Sequence, residues 1–267
     1  MNVPERPIAP DPARTLLDAA LGTRLISRGL DPARDDPALW NLDHPEQVAT
    51  IHRLDVDAGA EAILTNTFGA NRVWLARFGR ARDVVLINQA AAAIARQAAG
   101  VGRLVVGDLG PTAGESIIEQ AELLVAAGVD ALALETFAAD NALETLGHLM
   151  PRLSVPIVVS LTAWPAAASD LVHRFENLGA TAIGLNCVPI TVAVEVAARL
   201  RAVTTLPLFI KPAGAVPGRP DDDSAVFEAA ARDLAAFAPI WLGGCCGSDE
   251  RHIAAIRRAW YPSAGQS

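Results

Sequence analysis

The chain holds one tyrosine, one lysine and three cysteines in 267 residues, and its aromatic residues together reach only 5%. Each scarcity removes a class of explanation. A small, odd number of cysteines is a poor basis for a disulfide framework, so the thiols serve packing, catalysis or metal binding under reducing conditions. Few aromatics leave little material for a cage around a quaternary ammonium group: Tyr261 falls near the C-terminus, and Trp40, Phe68, Phe137 and Trp164 are the remaining candidates. No apolar stretch approaches the roughly 20 uncharged residues of a membrane span. The opening residues, Met1 to Arg14, are rich in proline and charge and lack the apolar centre of a signal peptide, so the expected location is the cytoplasm. Positive charge is also short. A net charge of −8 argues against binding to nucleic acid or to anionic membranes.

What is present is apolar and regular. Hydrophobic residues make up 51% of the chain and charged residues 19%, ample for one large core. Short runs of Val, Ile, Leu and Ala alternate with amphipathic stretches. The runs predict strands at Thr15–Ala20, Ala60–Asn66, Arg103–Asp108, Ala131–Thr136, Pro156–Thr162, Ala182–Cys187, Pro207–Lys211 and Pro239–Gly243. Helices are expected at Pro45–Ala58, Asp83–Ala99, Glu115–Ala127, Asp140–Leu149, Asp170–Leu178, Thr191–Val203, Ser224–Phe237 and Asp249–Trp260, several of them stopped by a glycine. An unbroken series of such units favours a single-domain α/β fold, a closed (β/α)8 TIM barrel over residues 1–267, with 1–14 as an N-terminal extension. An open doubly wound sheet would carry a G-x-G-x-x-G turn after its first strand, and Asp18-Ala19-Ala20-Leu21-Gly22-Thr23 is not one.

In such a barrel the chemistry sits at the C-terminal ends of the strands. Those ends carry Asp18, Thr65-Asn66, Asp108, Glu135-Thr136, Thr162, Asn186-Cys187, Lys211 and Cys245-Cys246, so all three cysteines share one rim. Neighbouring strand residues point to opposite faces, so Cys245 and Cys246 can act together only if Gly243, Gly244 and Gly247 let the backbone leave strand geometry. Three thiolates select zinc, and no histidine falls at a strand end: His44, His52, His148, His173 and His252 all lie on helices or their entries. A fourth position left open suits a thiol substrate, which would lose its proton near neutral pH and become the nucleophile, with no catalytic side chain required. Asp18 and Glu135 are candidates to hold the cationic amino group of a small zwitterionic thiol.

At these residues the sequence resembles the homocysteine S-methyltransferase family, through "LLDAALGTRLISRGL", "LWNLDHPEQVATIHRLDVDAGAEAILTNTFGANR", "GDLGPTAG", "GVDALALETF", "GLNC" and "GGCCGS", spread over Asp18 to His252. The resemblance implies zinc on Cys187, Cys245 and Cys246, homocysteine as methyl acceptor and methionine as product. It further implies that Asp18 and Glu135 grip the amino-acid end of the substrate, that Asn186 supports the metal region and that Trp40 lies against the substrate. Thr65 and Asn66, with Thr136, complete the expected substrate-binding rim. Two departures stand out: the family's Asp-Gly-Gly start reads Asp18-Ala19-Ala20, and its Asn-Ala-Gly on strand seven reads Pro212-Ala213-Gly214. The loops after strands three, five and seven are short, which implies an open mouth. Such a mouth could take a sulfonium, betaine-type or corrinoid methyl donor, or a roof from a partner subunit or a second copy of the chain.

Three other readings compete. Lys211, the only lysine, could form a Schiff base if desolvated. The turn Gly243–Gly247 before a helix could bind phosphate. The barrel could also hold zinc as a non-catalytic thiol sensor.

Overall fold

The computed structural model describes residues 13–112, 114–214 and 223–262. Among them are eight strands: β1 (Arg14–Leu16), β2 (Ala62–Leu64), β3 (Leu104–Leu109), β4 (Ala131–Phe137), β5 (Ile157–Leu161), β6 (Ala182–Pro189), β7 (Leu208–Ala213) and β8 (Ile240–Leu242). All neighbouring strands are parallel, in the order β1-β8-β7-β6-β5-β4-β3-β2. Between β1 and β2 the circle is completed by a bridge from Leu17 to Ala62 and by a 2.7 Å bond from the Glu61 N–H to the Leu16 carbonyl. The sheet is therefore the expected (β/α)8 barrel.

The eight expected helices form within a few residues of their expected bounds, and Pro45–Ala58 matches in full. Three short ones were not expected: Gly22–Ser27, Trp40–Asp43 and Arg72–Ala76. These are too brief to show a helical period in the sequence. The N-terminal extension lies outside the described residues up to 12; Arg14 already belongs to β1. No helix among the described residues is long and apolar enough to cross a membrane.

Strand period two sorts the side chains. Outward residues such as Val105, Leu132, Leu134, Val159, Ile183, Leu208, Ile210 and Ile240 pack beneath the helices in the main core. Inward residues form a separate cluster inside the barrel: Leu17, Ala62, Leu64, Val106, Ala131, Ala133, Val158, Ala182 and Phe209. Continuing each strand two residues at a time toward its C-terminal end changes the chemistry. Val106 leads to Asp108, Ala133 to Glu135, Val158 to Ser160, Ala182 through Gly184 to Asn186, and Phe209 to Lys211. All five of these polar residues are buried. The barrel thus has an apolar floor and a polar layer directly beneath its mouth.

Candidate metal and substrate site

The three cysteines meet above that polar layer. Their sulfurs lie within 4.8 Å of one another, with Cys187 Sγ 3.2 Å from Cys246 Sγ, and all three are free thiols. Four sulfurs around a tetrahedral zinc, at bonds of about 2.3 Å, stand about 3.8 Å apart. The observed cluster brackets that spacing, so its donor set and dimensions fit the ion. No histidine, aspartate or glutamate among the described residues joins the group.

By parity Cys187 should face outward, one residue beyond inward Asn186. It is turned to the mouth because its φ is 59°, in the left-handed region, and because β6 shifts register against β7 between Asn186 and Pro189. β4 repeats the device: Thr136 has φ 68°, within a register shift against β5 between Leu134 and Phe137. These are the only non-glycine residues of positive φ among those described. Asn186 ties the two together. Its Oδ1 accepts from the Thr136 N–H (2.9 Å) and from Ser160 Oγ (2.7 Å), its Nδ2 donates to Thr136 Oγ1 (2.7 Å), and Nδ2 stands 3.9 Å from Cys245 Sγ.

Cys245 and Cys246 arrive differently. After β8 the chain is held by backbone bonds from Gly243 N–H to Ile210, Gly244 N–H to Asp18 and Cys245 N–H to Pro212. A Cβ on Gly244 would fall 2.1 Å from Ser248 Oγ, so only glycine fits; Gly247, at φ 80°, completes the turn. Ser248 Oγ donates to the Cys245 carbonyl (2.7 Å) and accepts from the Ala20 N–H (3.2 Å). Because Gly243, Gly244, Cys245 and Gly247 all spend their N–H groups within the protein, the turn offers no nest for phosphate. Hydrogen bonds from Cys187 and then Cys245 hold the Cys246 thiol below the usual range. Cys246 is exposed, and the other two are partly buried.

Below the sulfurs, Lys211 Nζ is 2.9 Å from Asp18 Oδ1 and 3.6 Å from Glu135 Oε1. Asp18 Oδ2 accepts from the Leu64 N–H at 2.8 Å, so both its oxygens are engaged. Burial alone would lower the Lys211 pKa, but the charges of Asp18 and Glu135 outweigh it and hold the ammonium above the ordinary lysine range. A Schiff-base lysine needs the reverse. Burial, opposed by Lys211, pushes the Glu135 carboxyl up to about 7, with the charges of Cys245 and Asp18 adding to the rise.

A cavity of about 360 Å³ opens onto this arrangement, lined by Asp18, Thr65, Asn66, Glu135, Thr136 and the three cysteines among others. Asn186 stands behind that wall. Trp40 lies outside it: its indole N–H donates to Asp35 (2.8 Å) and its ring packs on His44 and in the cluster of Leu25, Leu30, Val48 and Ile51. Thr65 and Asn66 turn much of their polarity inward, Thr65 to Thr67 and the Asp108 N–H, Asn66 to Asn41 and the Pro37 carbonyl. Asp108, a strand-end residue left without a role by the sequence, also lines the cavity; its inward parity with Val106 is the signal that could have marked it. The histidines stay away from the sulfurs. His252 caps the last helix with Asp249 and bonds Asp223 through its other ring nitrogen, and His52 is buried on the helix Pro45–Ala58.

Comparison with known proteins places this geometry. The model of the homocysteine S-methyltransferase family matches residues 15–260. Methionine synthases of Mycobacterium tuberculosis and Mycobacterium leprae are 28% and 27% identical over 91% of this chain. The chain spans only 24% of the length of either. Among solved structures, the homocysteine methyltransferase MmuM from Escherichia coli superposes in its oxidized form with a TM-score of 0.77 at 23% identity, covering 91% of this chain and 94% of that one. Its metallated form gives 0.74 at 23% identity, covering 91% and 95%. At that identity the likeness speaks for the fold.

Proposed function

The chain belongs to the homocysteine S-methyltransferase family, and from that premise we propose that it methylates the thiol of homocysteine to give methionine, with zinc on Cys187, Cys245 and Cys246. The observation that carries this reading is the convergence of three thiols at the mouth of a cavity, with no fourth protein ligand beside them among the described residues. Zinc held there would keep an added thiol deprotonated near neutral pH.

The remaining work falls to the chain's own side chains. Glu135 takes the substrate's amino group, and Thr136 and Ala20 shape the wall beside it. Asp18 acts at one remove by holding Lys211. Asn186 fixes Thr136 and backs Cys245, while Thr65 and Asn66 brace the opposite wall and Trp40 supports the packing behind Asn41. With the thiol and the methyl donor held in line, sulfur supplies the electron pair of the new S–CH3 bond, and the donor keeps the pair of the bond that breaks. A protein with free thiols suits the cytoplasm, where we place it.

For the donor, a corrinoid carried by a separate partner is favoured over a small molecule by two observations. Cys246 is exposed at the mouth, and the loop after β3 is no longer than residues 110–114. The corresponding loop after β7 falls largely at 215–222, outside the described residues. The test is metal analysis of the purified protein, then methionine formation from homocysteine with S-methylmethionine, betaine or methylcobalamin. Zinc near one per chain and turnover with one of these donors is expected. Zinc without turnover on any of these donors would point either to a methyl group taken only from a corrinoid on a partner or to a zinc-holding barrel without this activity, and absence of zinc would defeat the reading.

A further inference from the structure

We propose that Asp108 is a substrate-binding residue that, together with Glu135, receives the ammonium of an amino-acid thiol. The inference rests on the functional reading above and adds a residue to it. In the buried layer beneath the sulfurs there are three carboxyl groups, Asp18, Asp108 and Glu135, and one cation, Lys211. Lys211 is committed: it bonds Asp18 at 2.9 Å and stands 3.6 Å from Glu135, beyond hydrogen-bond reach. Asp18 therefore has little left for a ligand.

The other two carboxyls are unfinished. Asp108 is 8% exposed and Glu135 6%, yet Asp108 Oδ1 and Glu135 Oε1 have no hydrogen-bond partner, and both residues line the cavity. Buried polar atoms are normally hydrogen-bonded, and a carboxyl oxygen without a hydrogen bond in a residue lining a cavity is an acceptor with room for a donor. An ammonium brings three donors and the missing positive charge. Burial, and after it the neighbouring charge of Glu135, raises the Asp108 carboxyl well above the usual range, with Lys211 offsetting part of this. A second cation in the layer would reverse that strain.

Asp108 is also held in place. Its N–H donates to Thr65 Oγ1 (3.0 Å), its carbonyl accepts from Thr67 Oγ1 (2.7 Å), and the two hydroxyls bond each other at 2.6 Å. Gln120 Nε2 in turn donates to the Thr67 carbonyl at 2.5 Å. Asp108, Glu135 and the three cysteines line the same cavity of about 360 Å³, which brings the carboxyl pair and the sulfur cluster to one small ligand. A thiol at the cysteines and an ammonium at the carboxyls would then fix both ends of the same molecule.

Calorimetric titration of the metal-loaded protein with homocysteine and with 4-mercaptobutanoate, which lacks the amino group, tests this. Wild type should prefer homocysteine by about tenfold or more, consistent with a charge-assisted bond. Asp108→Asn should weaken homocysteine about tenfold, leave 4-mercaptobutanoate within about twofold and retain its metal. Should Asp108→Asn misfold, Asp108→Ser, which leaves space rather than an amide, carries the same expectation. Unchanged homocysteine affinity in either variant, equal weakening of both ligands, or a wild type that does not distinguish them overturns the assignment. A wild type that holds zinc but binds no homocysteine overturns the functional reading and this inference with it.

Discussion

The ends of β6 and β8 deliver sulfur to one point by opposite means. On β6 the cysteine itself occupies the awkward conformation: Cys187 carries its side chain at φ 59°, a position that costs roughly 1–2 kcal/mol for a residue with a Cβ. The compensation comes from a neighbour, Asn186, whose bonds to Thr136 and Ser160 pin the strand just before the distortion. After β8 glycines flank the two cysteines and absorb the distortion. Gly244 and Gly247 take the tight contact and the positive φ while backbone bonds hold the loop. A strained cysteine thus needs an external brace, whereas a glycine-borne turn braces itself.

Ligand removal should erase the difference. Cys187→Ser and Cys246→Ser are each expected to lower zinc affinity by about three orders of magnitude or more, measured by competition with a chromophoric chelator. Retention of metal by either variant would remove that residue from the ligand set. Steric damage should then separate the two ends. Gly244→Ala places a Cβ 2.1 Å from Ser248 Oγ and should cost about 2–3 kcal/mol in denaturant unfolding. Adding Ser248→Gly should recover part of it, and a lack of recovery would put the strain elsewhere in the loop.

The brace on β6 should matter somewhat less. Asn186→Ala leaves every ligand in place but frees Thr136 and Cys187, and a fall of about 10–100-fold in zinc affinity is expected. An unchanged affinity would mean that the left-handed turn holds itself. The smallest effect isolates the strain. In metal-free protein, Cys187→Gly should be more stable than Cys187→Ala by about 1 kcal/mol, because only alanine meets the penalty at φ 59°. The reverse order in thermal unfolding would show that no strain is stored there.

Much of this was legible in the sequence. Every strand of the barrel overlaps an expected apolar run, and the rim rule collected Asp18, Glu135, Asn186, Lys211 and the cysteines because strand ends face one side. What period two could not reveal is how adjacent pairs share a face. Asn186-Cys187 and Glu135-Thr136 do so through register shifts against neighbouring strands, which is a tertiary event. The partner of Lys211 lies 193 positions away, so its role as a counter-ion to Asp18 was beyond any local pattern. Trp40 presents a related case. Its place was inferred by resemblance, while its indole is fixed by Asp35 and a local apolar cluster.

Cys187 and Cys246 are 59 positions apart, and β7 and β8 must both be in place before their sulfurs can meet. A nascent chain that has not yet closed its last strand owns one thiol and no chelate. Uptake of a metal that needs all three would therefore be a late event in biogenesis, and occupancy would report that the circle of strands had closed.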